Sequence, residues 1–304
     1  MTKKAHKQKR DIYAEVTANI IKAIEADPDK VTMPWQRSGM PIQLPRNVES
    51  ENCYNGINVV NLWVTAEIHG FSTGIWGTYR QWSENGCQVR KGEKSSLVIF
   101  YKEFNVEASD DDDDGNGTSA RRVARASRVF NADQVDGFEP DPIPHSDPIE
   151  RIKSVDRFVT STHADIKHGG DRAFYRRSSD HIQMPDETRF IDTDHGTRVQ
   201  GYYAVLLHEL THWTSDKHRC DRQLGKRFGD NAYAMEELIA ELGAAFLCAE
   251  LNITSEPRPD HASYIANWLE VLKSDNKAIF AAAAKANQAV TYLKSLQSKT
   301  TICL

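Results

Sequence analysis

The run His208-Glu209-Leu210-Thr211-His212 constrains this chain most, because it sits inside a helical repeat. Tyr203, Leu206, Leu207, Leu210 and Trp213 recur around it at three- and four-residue steps. Residues four apart on a helix share a face, so His208 and His212 point the same way and one cation fits between their imidazoles. Glu209 projects beside them, where a carboxylate takes a proton from an attacking water. Two exposed histidines on an amphipathic helix would give the same letters, so the reading needs a third donor.

Candidates follow in Tyr233-Ala234-Met235-Glu236-Glu237-Leu238-Ile239-Ala240-Glu241-Leu242. The segment is helical by period, with Ala234, Leu238, Leu242 and Ala245 on one stripe. Glu237 and Glu241, four apart, fall on a different, polar face. The spacing suits Glu237 as the third ligand and Glu241 behind it, orienting an imidazole through its other nitrogen, with Glu236 in reserve. A solvated acidic face is the alternative, but carboxylates within an Ala/Leu/Phe-rich helix ask for a partner.

At 304 residues the chain exceeds one typical core, which points to two domains. A hydrophobic content of 39% and a net charge of −5 describe an ordinary globular protein. No apolar run approaches the roughly 20 residues that span a bilayer. The basic start (Lys3, Lys4, Lys7, Lys9, Arg10) is not followed by an apolar signal core, so a cytoplasmic location without membrane contact is expected. Cys53, Cys87, Cys220, Cys248 and Cys303 form no Cys-x-x-Cys pair, which argues against a zinc finger or a disulfide framework.

Residues 11–26 and 57–68 carry helical periodicity, and Ser96 to Tyr101 is the clearest strand. Arg128 to Asn131 reads as the returning arm of a hairpin. Between the arms lie five aspartates, Asp110 to Asp114, and Gly115-Asn116-Gly117, a stretch too polar to bury itself. The front part mixes aromatic and basic residues: Trp35, Tyr54, Trp63, Trp76, Tyr79, Trp82, Phe100 and Tyr101 with Arg80, Arg90, Lys91 and Lys94. Residues 1–104 hold 14 Lys/Arg against 11 Asp/Glu in a chain that is acidic as a whole. Aromatic faces that stack bases and cations that track phosphates are how single-stranded nucleic acid is gripped. The same tryptophans would equally serve a core.

A proline-rich stretch, Phe138 to Pro144, separates front from rear. The elements predict an α+β chain: a small α+β domain over residues 1–138 with a mobile hairpin insert at 105–128, a linker at 139–148, and a mainly helical domain with a short sheet over 149–304. In the rear domain, Asp180 to Pro185 reads as an exposed edge strand to which an extended substrate adds. Asp192 and Asp194 are placed to cap the histidine helix. Lys217, His218, Arg219, Arg222, Lys226 and Arg227 read as a basic loop at the cleft mouth. An oxyanion partner is expected in His218 or Tyr233. Two further helices, 261–275 and 277–297, close the chain.

The motif His208 to Thr214, with Arg227-Phe228-Gly229, Tyr233 to Leu242 and Tyr264 to Leu269, resembles the zincin-like half of the ArdC-type antirestriction family. Pro34-Trp35, Tyr54 to Asn58, Trp76 to Trp82, Val89 to Lys94 and Val129 to Val135 are similar to that family's N-terminal domain, shared with TraC-type plasmid primases. The resemblance spans nearly the whole chain; Ser215, where the family usually has glycine, and the aspartate insert depart from it. It implies single-stranded DNA binding by the first domain and a gluzincin-like metallopeptidase fold in the second. On this reading one Zn2+ lies on His208, His212 and Glu237, Mn2+ or Co2+ can substitute, and Glu209 is the catalytic acid/base. It further implies protection of plasmid DNA from restriction during conjugation, with host restriction-modification proteins as partners. A DNA-coating protein with a structural metal, and a general intracellular metallopeptidase, stand as the alternatives.

Overall fold

In the computed structural model, residues 11–26, 43–106, 119–140, 148–193, 197–222, 231–253 and 261–297 are described. Trp35, the five aspartates, Asp194, Lys226 and Arg227 lie outside them.

The first described element is α1 (Ile12–Glu25), capped by the Asp11 carboxylate, which accepts from Ala14 N at 3.1 Å. Its apolar stripe Val16, Ile20, Ala23 and Ile24 is buried, as the periodicity predicts. β1 (Arg46–Asn47) leads to α2 (Ile57–His69), β2 (Ile75–Gly77), the short α3 (Tyr79–Glu84) and β3 (Gln88–Val89). β4 (Ser96–Val106) and β5 (Ser119–Asn131) form the hairpin, and β6 (Val135–Asp136) follows. One sheet runs β1-β2-β5-β4, parallel only at β1–β2, while β3 pairs with β6 in a second.

The hairpin exceeds expectation. Its ladder continues through Asn105↔Ala120 to Val106↔Ser119, so residues 119–128, taken as part of a mobile insert, build one arm of the sheet. The outer edge of β4 is closed by side chains. Asn58 donates to Ile99 O and accepts from Ile99 N, both at 2.7 Å, and Asn61 donates to Leu97 O at 2.8 Å. Two amides of α2 thus satisfy strand groups that would otherwise stay unpaired.

The rear part comprises α4 (Pro148–Ser161), β7 (Asp165–His168), β8 (Phe174–Arg176), β9 (His181–Met184), α5 (Arg198–Trp213), α6 (Asn231–Glu250), α7 (His261–Ser274) and α8 (Ala278–Ser295). Its sheet runs β7-β9-β8. The strand expected at an exposed edge is therefore the central one, paired on both sides, with Ile182 and Met184 fully buried. β8, which lies against α5, is an outer strand instead.

α5 and α6 approach closely because Gly243 has no side chain: a Cβ there would stand 2.5 Å from Thr211 Cγ2. α6 is buried from Glu236 to Ala249, so its acids occupy no solvated face. The two domains share one apolar core. Trp63 of α2 meets Phe246 of α6 with ring centroids 5.7 Å apart, and Tyr13 of α1 meets Phe280 of α8 at 4.6 Å. Among the described residues no helix is long and apolar enough to cross a membrane, and all four cysteines are free.

Candidate metal centre and nucleic-acid interface

α5 begins in a capping box between Thr197 and Gln200, and Asp192 accepts from Arg198 N at 2.7 Å. The helix buries His208 and Glu209 to 2% exposure each. Across from them, α6 buries Glu236, Glu237 and Glu241.

The donors expected from the sequence converge. His208 Nε2 lies 3.1 Å from His212 Nε2 and 3.6 Å from Glu237 Oε2, and His212 Nε2 lies 3.4 Å from Glu237 Oε1. One donor atom from each of the three falls within 4.8 Å of the others. Ligands roughly 2.0–2.2 Å from one tetrahedral ion stand about 3.4 Å apart, so the triangle fits a small divalent cation. Charge makes the same demand. Burial by itself depresses the His212 imidazole, but Glu237, Glu236 and Glu209 outweigh it and raise its pKa to about 10. Burial pushes the Glu237 carboxyl up, and the two imidazoles hold it far below the usual carboxylate range instead. Carboxylates packed this tightly need positive charge between them.

Behind the triangle, Glu241 Oε2 is 3.7 Å from His208 Nδ1, on the side expected of it but beyond hydrogen-bond length. Glu236 does for His212 what Glu241 approaches for His208: its Oε1 is 3.3 Å from His212 Nδ1. Arg222 in turn grips Glu236. It donates from Nε to Oε2 at 3.1 Å and from Nη2 to Oε1 at 2.8 Å. It also donates to Thr214 Oγ1 and Thr211 O, each at 2.7 Å. Burial pushes the Glu236 carboxyl up, and His212 and Arg222 bring it below its ordinary value.

Arg222 corrects the picture of a basic loop at the cleft mouth. It is 3% exposed and faces inward, while Lys217 and His218 are exposed. Nothing local in the sequence separates it from its neighbours, because its role depends on the chain turning back after Trp213. Of the two oxyanion candidates, Tyr233 is half-buried one turn before Glu237, whereas His218 is exposed on that turn and its charge acts on Asp180.

The DNA candidates separate sharply. Trp76 and Trp82 are 1% and 0% exposed. Trp82 donates its indole N–H to Phe130 O at 3.0 Å and packs edge-on to Phe138 in a small core under α3. Enclosed on both faces, these rings cannot stack on bases; burying so much apolar area is worth more to the fold. Tyr54 is 8% exposed, and its hydroxyl accepts from Asn47 at 3.3 Å. Tyr79 is 53% exposed and lines a cleft of about 470 Å³ with Gln88, Arg90, Lys91, Phe130 and Asp136. Arg90 is engaged by Glu93 at 3.2 Å and Asp136 at 3.6 Å, and Arg80 by Glu84 at 2.7 Å. Lys91 and Lys94 are exposed.

Fold and site together define a two-domain protein whose rear domain is zincin-like. Residues 153–285 match the family model of a zincin-like metallopeptidase, and residues 10–130 match that of the N-terminal domain of the anti-restriction factor ArdC. The antirestriction ArdC protein from plasmid R388, solved metal-free, is 38% identical with a TM-score of 0.74, over 95% of this chain and 98% of that one. Its Mn(II)-bound structure gives a TM-score of 0.73 over 96% and 100%. An uncharacterised protein of Sinorhizobium fredii, y4eC, is 48% identical over 95% of this chain and 93% of its own. DNA primase TraC of Escherichia coli is 34% identical over 96% of this chain, which spans 28% of the primase; the likeness to TraC thus extends beyond the front domain. This chain belongs to the ArdC antirestriction family.

Proposed function

We propose that the chain binds single-stranded DNA through its front domain and carries a metallopeptidase centre in its rear domain, the two together protecting incoming plasmid DNA from restriction in the cytoplasm of the recipient cell. The observation that carries the enzymatic half is the convergence of His208, His212 and Glu237, two imidazoles and a carboxylate, from two adjoining buried helices. These residues would hold the ion, with Glu241 and Glu236 behind the imidazoles. Zn2+ suits the set, and Mn2+, with which the R388 relative has also been solved, is compatible with these donor types. When bound, such an ion supplies Lewis acidity toward a water and a carbonyl.

The protein's own part in the reaction falls to Glu209. Its buried carboxylate adjoins His208 in sequence and lies within electrostatic reach of His212. A carboxylate oxygen there accepts the proton of the attacking water and returns it to the leaving amine. Tyr233, on the turn of α6 before Glu237, is the group suited to the developing oxyanion. An extended peptide runs along an outer strand of the small sheet, for which β8 is the candidate.

The DNA half is supported by kinship with TraC and by the cleft that joins Tyr79 to Lys91. Gel shift of single- against double-stranded DNA tests it directly. Restriction-protection assays with Glu209→Ala test whether hydrolysis is the means. Full protection by that variant assigns the work to DNA coating instead.

A further inference from the structure

Two hollows flank α3. Residues two apart on a helix point about 200° from each other. Tyr79 faces the cleft already described, and Gln81 faces a larger groove of about 980 Å³ on the opposite side. Arg80 stands between them, its side chain 85% exposed. The larger groove lies between the front domain and α8, and none of its lining residues carries a charge. Several are amides. Asn58 is held by Ile99 through both its oxygen and its nitrogen, and Asn47 and Gln81 are bound to each other. The side chains of Asn52, Asn55 and Asn287 make no hydrogen bond among the described residues. On the rim, Phe100 is 49% exposed, and Arg125 lies directly across the ladder from it, also exposed.

An uncharged hollow with free amides is poorly suited to phosphate. It suits groups that present paired donors and acceptors on a flat apolar ring, because amides match base edges and aromatic faces stack on them. We infer that this groove receives unstacked bases of a single strand, with Phe100 as the stacking platform, Asn52, Asn55 and Asn287 on the base edges, and Arg125 on the adjoining phosphate. The inference rests on the proposed binding of single-stranded DNA and gives it a location: the strand crosses α3 from the Lys91 cleft to the amide groove. Because Asn287 belongs to α8, the rear domain supplies one wall of the DNA site.

The test is fluorescence anisotropy of the full-length protein with a labelled mixed-sequence single strand and with an abasic strand of equal length, across a salt series. The wild type should prefer the strand that carries bases. Phe100→Ala should weaken that strand roughly 5- to 150-fold, the abasic strand less than about 2-fold, and leave the salt slope unchanged. Phe100→Tyr should restore binding, and Asn287→Ala should narrow the difference between oligo(dA) and oligo(dT). Lys91→Ala, by contrast, should weaken both strands and reduce the salt slope by about 0.7. Equal wild-type affinity for the two strands overturns the inference, as does an unchanged affinity in Phe100→Ala. A wild type that binds neither strand removes the DNA-binding reading itself, and the groove assignment with it.

Discussion

Arg222 holds both carboxylate oxygens of Glu236, at 2.8 and 3.1 Å, while Glu236 Oε1 lies 3.3 Å from the outer nitrogen of His212. A planar guanidinium matches a carboxylate two-for-two, so the pair fixes the position of Glu236 and, through it, the plane of the imidazole. Lysine cannot replace that geometry.

Arg222→Lys should therefore lower metal affinity by roughly 10- to 100-fold while leaving the three proposed ligands in place. Competition against a chelator of known affinity measures this. Arg222→Ala should also cost stability, about 3–5 kcal/mol, since it leaves the Glu236 charge buried without its guanidinium. Wild-type metal affinity in the lysine variant would refute the bracing role.

Glu209→Gln and His212→Ala should behave differently. The first keeps a side chain of the same size outside the ligand triangle, so purified protein should retain about one metal per chain and lose peptidase activity, typically 10²- to 10⁴-fold for a general base. The second removes a proposed ligand and should lose metal and activity together. Metal analysis of both proteins decides the matter, and equal metal loss in the two contradicts the assignment.

Gly243→Ala drives a methyl group into Thr211, where a Cβ would meet Cγ2 at 2.5 Å and Oγ1 at 2.8 Å. Overpacking of this kind costs typically about 1–3 kcal/mol, and the strain falls on the α5–α6 contact that sets the spacing of the proposed ligands. Urea melts should show the loss. Thr211→Ala in the same chain should recover part of it, so a double-mutant cycle with no coupling would count against the close contact.

Asp180 gives a pH signature away from the metal site. Hydrogen bonds from Arg219 pull its carboxyl below the ordinary 3.8, against the upward push of burial, with Tyr175 and the charge of His218 adding to the lowering. Arg219 itself lies 3.9 Å over the Trp213 ring. A carboxyl depressed on folding contributes stability above its unfolded pKa and loses that contribution as the pH falls through the folded one. The stability gap between wild type and Asp180→Asn should stay level from neutral pH down toward 3.8 and close below it. Asparagine tolerates the positive φ of 47° at this position, so the comparison isolates the charge. A gap that widens in acid would contradict the assignment. The carboxylate side chain is half exposed, so salt should shrink the gap as well.

The convergence of His208, His212 and Glu237 was legible because its logic is local. His208 and His212 meet through the pitch of one helix, and Glu237 was found from the period of the next. The arms of the β4–β5 hairpin were legible for a similar reason, as alternation on either side of a polar turn. Failures came wherever a residue's role depends on what a distant segment brings to it. Trp76, Trp82 and Tyr79 look alike as letters in an aromatic stretch, yet Trp76 is sealed in the main core, Trp82 in the small one under α3, and Tyr79 faces outward, a distinction made by what packs over each ring. β9 read as an edge because its own residues do not encode its two neighbours. Asn58 and Asn61 read as ordinary helix positions, although they complete the ladder of β4.

The sequence alone determined the chemistry on offer: two imidazoles and an acid at helical spacing, two domains, and the family to which they belong. Periodicity and side-chain type are properties of consecutive residues, so they survive without coordinates. Only the tertiary structure decided which acid stands behind which histidine, that Arg222 turns inward to hold Glu236, and that the front domain and α8 enclose a groove between them. Those pairings join residues far apart along the chain, and each exists because burial leaves a charge or a polar group with no other partner to find.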